Sequence, residues 1–233
     1  MPRAVRRSLV SDQVFRILCE EIVTGAYAPG EKLPTQRALA ADLGVNMAPV
    51  REAVKRLEQL RLVEVRHGDA MRVRDWRADG GLDVVSHLLF RAGGLDRETL
   101  ASVLEARRLM LTEAARLAAE RRSPEQAARI GKLAERLTAG PDAEAAQALD
   151  WELMAELVDA SGNVVLGLIM NSIRQAYLEH AAGLRAVVAD LDELAPLYRR
   201  AAAAVQRGNA DAAARAVREL TSRQERRLLE ALA

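Results

Sequence analysis

Between Leu33 and Val73 the spacing of apolar positions changes twice. Leu39, Ala40 and Leu43 recur at helical spacing, and so do Val50, Val54, Leu57 and Leu60, while Arg51, Glu52, Lys55, Arg56 and Gln59 fall on other faces. From Leu62 the pattern becomes strict alternation, Leu62-Val63-Glu64-Val65-Arg66 and Met71-Arg72-Val73-Arg74, around the turn His67-Gly68-Asp69. Two short helices followed by a hairpin make a winged helix-turn-helix. The local signals agree on the boundaries: Thr35 caps the first helix, Gly44 stops it, Asn46 caps the second, and Pro49 falls in a first turn, where a missing amide costs nothing. Ahead of them, Ser11 to Thr24 reads as a scaffold helix with Ser11 or Asp12 as cap, Val14, Ile17, Leu18 and Ile22 as buried stripe and Gly25 as stop. The turn-rich stretch from Tyr27 to Pro34 leaves room for a short strand beside the wing.

Past Arg74 the periodicity breaks. Residues 75–81, with Trp76, Gly80 and Gly81, read as a linker. Everything from Leu82 onward has helical spacing, with helices predicted over 82–91, 96–121, 124–139, 143–160, 164–182, 192–206 and 210–231 and Gly, Pro, Ser and Asn at the junctions. No fixed repeat is present, so a compact helical bundle able to enclose a ligand is expected rather than a solenoid. The expected organisation is a basic arm (1–10), a winged helix-turn-helix (11–74), the linker and an all-helical domain (82–233), in a mostly α fold.

Composition supports that reading. The 233 residues leave room for two cores, and half are apolar but only 3% aromatic, with few β-branched runs. There is no stretch of eighteen uncharged apolar residues, so no membrane span is expected. The arm with Arg3, Arg6 and Arg7 lacks the apolar core of a secretory signal, and a cytoplasmic protein is expected. Residues 1–75 hold 13 Lys+Arg against 10 Asp+Glu, the remainder 21 against 23. That asymmetry favours an anionic partner for the N-terminal part only slightly; the placement of individual arginines matters more. Arg56, Arg61, Arg72 and Arg74 read as surface residues ahead of specific contacts. The single cysteine, Cys19, reads as a packed thiol.

Chemistry-bearing motifs are scarce. The histidines are His67, His87 and His180; there is no His-x-x-x-His, cysteine pair, G-x-S-x-G elbow or phosphate-binding loop, so no enzyme and no cofactor are expected.

The segment GEKLPTQRALAADLGVNMAPVREAVKRLEQLRLVEVRHG, with L-P-x-x-R, G-V, P-V-R-E-A and H-G in order, resembles the DNA-binding domain of the GntR family of transcription regulators over about residues 11–74. LDWELMAELVDASGNVVLGLIMNSIRQAY, from Leu149 to Tyr177, is similar to the FadR branch of that family. The resemblance implies a homodimer on a short palindromic operator in double-stranded DNA, contacted by Arg37, Arg51 and recognition-helix residues, with His67 and Gly68 at the wing tip entering the minor groove. Where the family usually has Ser/Thr-Arg-Thr, this chain has Asn46-Met47-Ala48, so methionine replaces a guanine-reading arginine; Asn46 and Ala48 suit an adenine edge or a thymine methyl. Relatives hold a metal through an aspartate, a histidine four residues on and two later histidines. Here Asp150 is present but the others read Met154, Tyr198 and Leu220, so no metal is expected. The branch implies a fatty acyl-CoA or other lipid-like acid as effector, with Arg107, Asp150 and Tyr177 as anchors and Leu104, Leu111, Met154, Leu157, Leu168 and Ile169 as inward candidates. The last helix, with Thr221-Ser222-Arg223-Gln224-Glu225 and Leu228, departs from that branch's glycines, serine and tryptophan. A small carboxylate or sugar acid as effector, a constitutive DNA binder and a helical enzyme with an accessory DNA domain are the alternative readings.

Overall fold

The computed structural model describes residues 8–66, 71–91 and 94–232, and among these it is mostly helical. Its contacts divide the chain into two units, Met1–Asp96 and Arg97–Ala233.

The N-terminal unit is built on α1 (Ser8–Thr24), α2 (Gln36–Asp42) and α3 (Met47–Gln59). Helix α1 runs through Ser11 and Asp12, which were expected to cap it; Ser11 is buried within the helix and Asp12 accepts from Arg56 on α3. Its buried stripe is Val14, Phe15, Leu18, Cys19, Ile22 and Val23. Ile17, expected in that stripe, is exposed, because Phe15 and Cys19 turn the packed face the other way. Thr35 caps α2 by accepting from the Ala38 amide, as its sequence position predicts. Gly44 follows at φ +64°, and the amides of Val45 and Gly44 close on the carbonyls of Ala40 and Ala41, a Schellman stop. Helix α3 ends the same way: Leu62 and Arg61 donate to Leu57 and Glu58, which places the non-glycine Arg61 at φ +59°.

The wing pairs β1 (Val63–Glu64) with β2 (Arg72–Val73), antiparallel, Val63 opposite Val73. Residues 30–33 add a third pairing on the other side of β2, through Gly30 N to Val73 O, Val73 N to Glu31 O and Leu33 N to Met71 O, as the turn-rich connection allowed. Val50, Ala53, Val54 and Leu57 of α3 join Leu62, Val63 and Val73 in one core with the α1 stripe. Each such fully buried Val or Leu contributes about 1.5–3 kcal/mol relative to exposure.

Residues 75–81, expected as a linker, carry a short helix α4 (Trp76–Asp79) capped by Asp75. The stretch 82–91, expected as one helix of the second domain, instead forms a 3₁₀ turn (Leu82–Val84), α5 (Val85–Leu89) and β3 (Phe90–Arg91), which pairs with β4 (Gly94–Leu95). Val84 and Leu88 pack into the core under α1, and the His87 ring lies edge-on to Phe15 at 5.0 Å. Apolar burial against α1 therefore groups residues 82–96 with the N-terminal unit.

The second unit is a helical bundle of α6 (Arg97–Arg121), α7 (Pro124–Thr138), α8 (Ala143–Ala160), α9 (Val164–Glu179), α10 (Leu191–Gln206) and α11 (Ala210–Glu230). Ser123 and Gln126 form a reciprocal capping box at the start of α7. The predicted 164–182 helix stops at Glu179 and gives way to a 3₁₀ segment, Ala181–Val188. The core is made largely of small side chains between long helices: Ala114, Ala115 and Ala118 of α6 meet Leu153, Leu157, Tyr198, Ala201, Val217 and Leu220. No helix among the described residues is long and apolar enough to cross a membrane.

Candidate functional site

Several arginines of the N-terminal unit are engaged within it. Arg56 donates to Asp12 and lies over the Phe15 ring at 4.0 Å; Arg72 donates to the Gly30 carbonyl; Arg74 pairs with Asp79 at 3.0 Å; Arg66 pairs with Glu64 at 3.0 Å. These side chains brace the scaffold. Arg37, in the first turn of α2, and Arg51, in the first half of α3, are exposed and form no ion pair with a described residue. Asn46, Met47 and Ala48 are exposed alongside them. Asn46 has the extended backbone of a cap, but its side chain makes no capping bond, contrary to the sequence expectation. Its amide is therefore free for a ligand, and the first amides of α3 have no side-chain acceptor, the usual setting for a phosphate oxygen. The inner face of α3 fixes this outer face, since Val50, Ala53, Val54 and Leu57 are all buried. His67 and Gly68, expected at the wing tip, lie outside the described residues.

In the helical unit two of the three anchors expected from sequence, Arg107 and Asp150, bond each other and also Tyr198 and Gln224, which were not expected as anchors. Asp150 of α8 accepts from Arg107 Nη2 of α6 at 3.2 Å, from the Tyr198 hydroxyl of α10 at 2.7 Å and from Gln224 Nε2 of α11 at 2.7 Å. Arg107 Nη1 donates to Gln224 Oε1 at 2.9 Å, and Gln224 Nε2 also reaches the Tyr198 oxygen at 2.9 Å. Four helices thus close one ring of hydrogen bonds around one ion pair. Asp150, Tyr198 and Gln224 are buried, whereas the Arg107 side chain is 19% exposed. Burial, followed by the Asp150 charge, pushes the Tyr198 hydroxyl well above the usual tyrosine range. Tyr177 of α9 stacks on Trp151 at 4.5 Å and shares a hydrogen bond with Gln147; burial first and Asp150 second push it up to about 12. Gln147 in turn donates to the Ala181 carbonyl at 2.7 Å. Only the spacing of α11 pointed to Gln224: with Val217, Leu220, Thr221 and Leu228 it lies on the helix's inward stripe.

These residues do not suit a divalent metal. Both oxygens of Asp150 already accept hydrogen bonds, Tyr198 donates its proton there, and buried Met154 and Leu220 supply no nitrogen or oxygen ligand. Of the apolar positions expected inward, Leu104, Leu111, Met154 and Leu157 are buried. Leu168 is 60% exposed and Ile169 half-buried, because α9 packs through Leu166 and Met170.

The chain matches the gntR family of bacterial regulatory proteins over residues 10–73 and the FCD domain over residues 102–223. It is 38% identical to the HTH-type transcriptional regulator Mce2R of Mycobacterium tuberculosis over 93% of this chain and 90% of that protein. It is 30% identical to a fatty acid metabolism regulator protein of Yersinia pestis over 69% of this chain and 66% of that one. Two solved structures share the fold: Listeria monocytogenes Lar, 16% identical with a TM-score of 0.56 over 94% of this chain and 96% of that one, and E. coli McbR/YncC, 20% identical with a TM-score of 0.50 over 96% and 99%. The chain thus belongs to the gntR family of DNA-binding transcription regulators, with an FCD effector-binding domain as its second part.

Proposed function

We propose that the chain acts in the cytoplasm as a homodimeric repressor that binds a palindromic operator and releases it when a lipid-like acid, an acyl-CoA among them, occupies the helical domain. The observation that supports the DNA part is the placement of Arg37 on α2 and Arg51 on α3 of the winged helix-turn-helix, where both are exposed, as are Asn46, Met47 and Ala48, and form no ion pair with a described residue. Arg37 and Arg51 grip phosphate or guanine; Asn46 reads an adenine edge; Met47 and Ala48 lie against thymine methyls; His67 and Gly68, carried over from the family resemblance, enter the minor groove. The effector part is supported by the name of the Yersinia relative and by the lack of metal ligands around Asp150. Arg107 is the partly exposed member of the polar ring, so an anionic head group reaches it first and competes with Asp150, with Tyr177 beside them. Repacking of the ring then alters the spacing of the two reading heads, which a two-fold operator tolerates at one value only.

Selection of operators from random duplexes tests this. A two-fold consensus bound by two chains, with affinity reduced by an anionic lipid, is the expected outcome. A single unpaired half-site, or release by a short polar carboxylate and not by a lipid acid, refutes the corresponding part.

A further inference from the structure

Leu104, Leu111, Met154 and Leu157 are buried, and the polar ring bonds its own members. Between α7, α8 and α9 lies a groove of about 1040 Å³. This matches the upper end of small-molecule sites, roughly 300–1,000 Å³. Leu133, Trp151, Val158 and Met170 line its floor. Val164, 74% exposed, and Leu168, 60% exposed, form an apolar lip on α9.

The charges around this groove are not balanced. Its three acids are engaged: Glu156 with Arg129 at 2.7 Å, Glu152 with Arg136 at 3.8 Å, and Asp159 with the Gln126 amide at 2.8 Å. Lys132 of α7 and Arg174 of α9 also line it and pair with no acid among the described residues. A long apolar floor flanked by two uncommitted cations is complementary to one ligand chemistry, a hydrocarbon chain ending in an anion. Trp151 connects the groove with the stacked Tyr177 and hence with the neighbourhood of Asp150.

We infer that the α7–α8–α9 groove is a binding site for a single-chain amphiphilic anion, its hydrocarbon on Trp151 and Met170 and its head group between Lys132 and Arg174. The regulatory meaning of the site rests on the effector reading above; the site itself rests on the groove.

The chain contains two tryptophans, so a full-length Trp76→Phe background leaves Trp151 as sole reporter. Dodecanoate and dodecanoyl-CoA, below their micelle concentrations, separate the free acid from the thioester; dodecyltrimethylammonium is the charge control. The anions are expected to shift Trp151 emission saturably and the cation to bind at least tenfold more weakly. Nothing lies within 4 Å of a Cβ built on Gly167, which lines the groove, so Gly167→Phe starts without a clash at Cβ and is expected to abolish the shift, with unchanged helical circular dichroism as the control on folding. Lys132→Glu with Arg174→Glu, both exposed, is expected to weaken anion binding at least tenfold while leaving the helical circular dichroism and the melting temperature unchanged. Unchanged anion affinity in both variants overturns the site. So does a dimer that dissociates in Gly167→Phe, since a second copy would then occupy the groove. Operator release by dodecanoate with a silent Trp151 overturns the site but keeps the effector reading; a Trp151 response lost in the variants, without operator release, does the reverse.

Discussion

The two units handle buried and exposed arginine in opposite ways. In the N-terminal unit Arg56, Arg66, Arg72, Arg74 and Arg91 are paired within the unit, while Arg37 and Arg51, like Arg16 and Arg61, are exposed and form no ion pair with a described residue. In the helical unit Arg107 is drawn inward and bound to Asp150 and Gln224. A guanidinium that must grip an outside anion is useful when no internal acid competes for it. One that must hold a bundle together is useful when its partners leave it no choice.

The strongest way to break the comparison is a crossed pair of substitutions. Arg37→Ala with Arg51→Ala is expected to cost operator binding on the order of 1–3 kcal/mol per residue while leaving stability within about 0.5 kcal/mol. Asp150→Ala is expected to do the converse, destabilising the helical unit by roughly 3–5 kcal/mol, because Arg107 and Gln224 lose their shared acceptor in a buried setting. The folded fraction should still bind the operator. Chemical denaturation and operator titration of all the variants check this; a collapse of the fold in the double arginine variant, or a stable Asp150→Ala, would remove the distinction.

The same contrast explains what the sequence made legible. The head is local. Thr35, Gly44, the helical spacing of α3 and the alternation of the wing each act within a few residues, and the structure has them where the pattern put them, apart from the side-chain cap of Asn46. The fate of residues 82–91 was harder, because burial of Val84 and Leu88 under α1 decides it, and periodicity does not reveal a partner. The polar ring is the extreme case. Asp150 and Gln224 are 74 positions apart, and a glutamine on a helix looks like solvent-facing filler until α8 and α10 approach it. Leu168 misled for the complementary reason: an apolar residue on an apolar helix reads as core, although α9 turns Leu166 and Met170 inward instead.

Alkaline titration sharpens the comparison with a smaller effect. In the head, burial raises the Cys19 thiol from 9.0 to about 12; in the bundle, it raises the Tyr177 hydroxyl from 10.0 to about 12. Both groups are held neutral by the fold. A group whose folded pKa lies above its unfolded one contributes stability that is complete below the unfolded value and is lost as pH rises through the folded one. The head should therefore begin to weaken above pH 9, and the bundle only above pH 10. Each such group loses at most about 1.4 kcal/mol per pH unit within its window, and in the bundle Tyr198 adds to Tyr177. Trp76 in the head and Trp151 in the bundle report the two units separately in single-tryptophan variants. Cys19→Ala should remove the early loss and Tyr177→Phe should reduce the later one; simultaneous loss at both tryptophans in the wild type, unaltered by Cys19→Ala, would contradict the assignment.

The smallest effect concerns a polar group that the bundle leaves unserved. Thr112 of α6 is buried, at 6% exposure, and its hydroxyl has no hydrogen-bond partner among the described residues, although it lies only five positions from Arg107. The ring around Asp150 shows that this interior pairs its polar groups where partners converge, so an unpaired hydroxyl there is a net cost to the fold. Valine has nearly the same shape and lacks that oxygen. Thr112→Val is therefore expected to stabilise the helical unit by about 1 kcal/mol, the lower part of the range for burying an unpaired hydroxyl, and to raise its melting temperature by roughly 2–4 °C. The ring is intact in this variant, so its response to ligand and operator should match the wild type. A fall in stability would mean that the hydroxyl has a partner in solution, and Thr112→Ser, which keeps the oxygen and drops the methyl, would then be the better tolerated of the two.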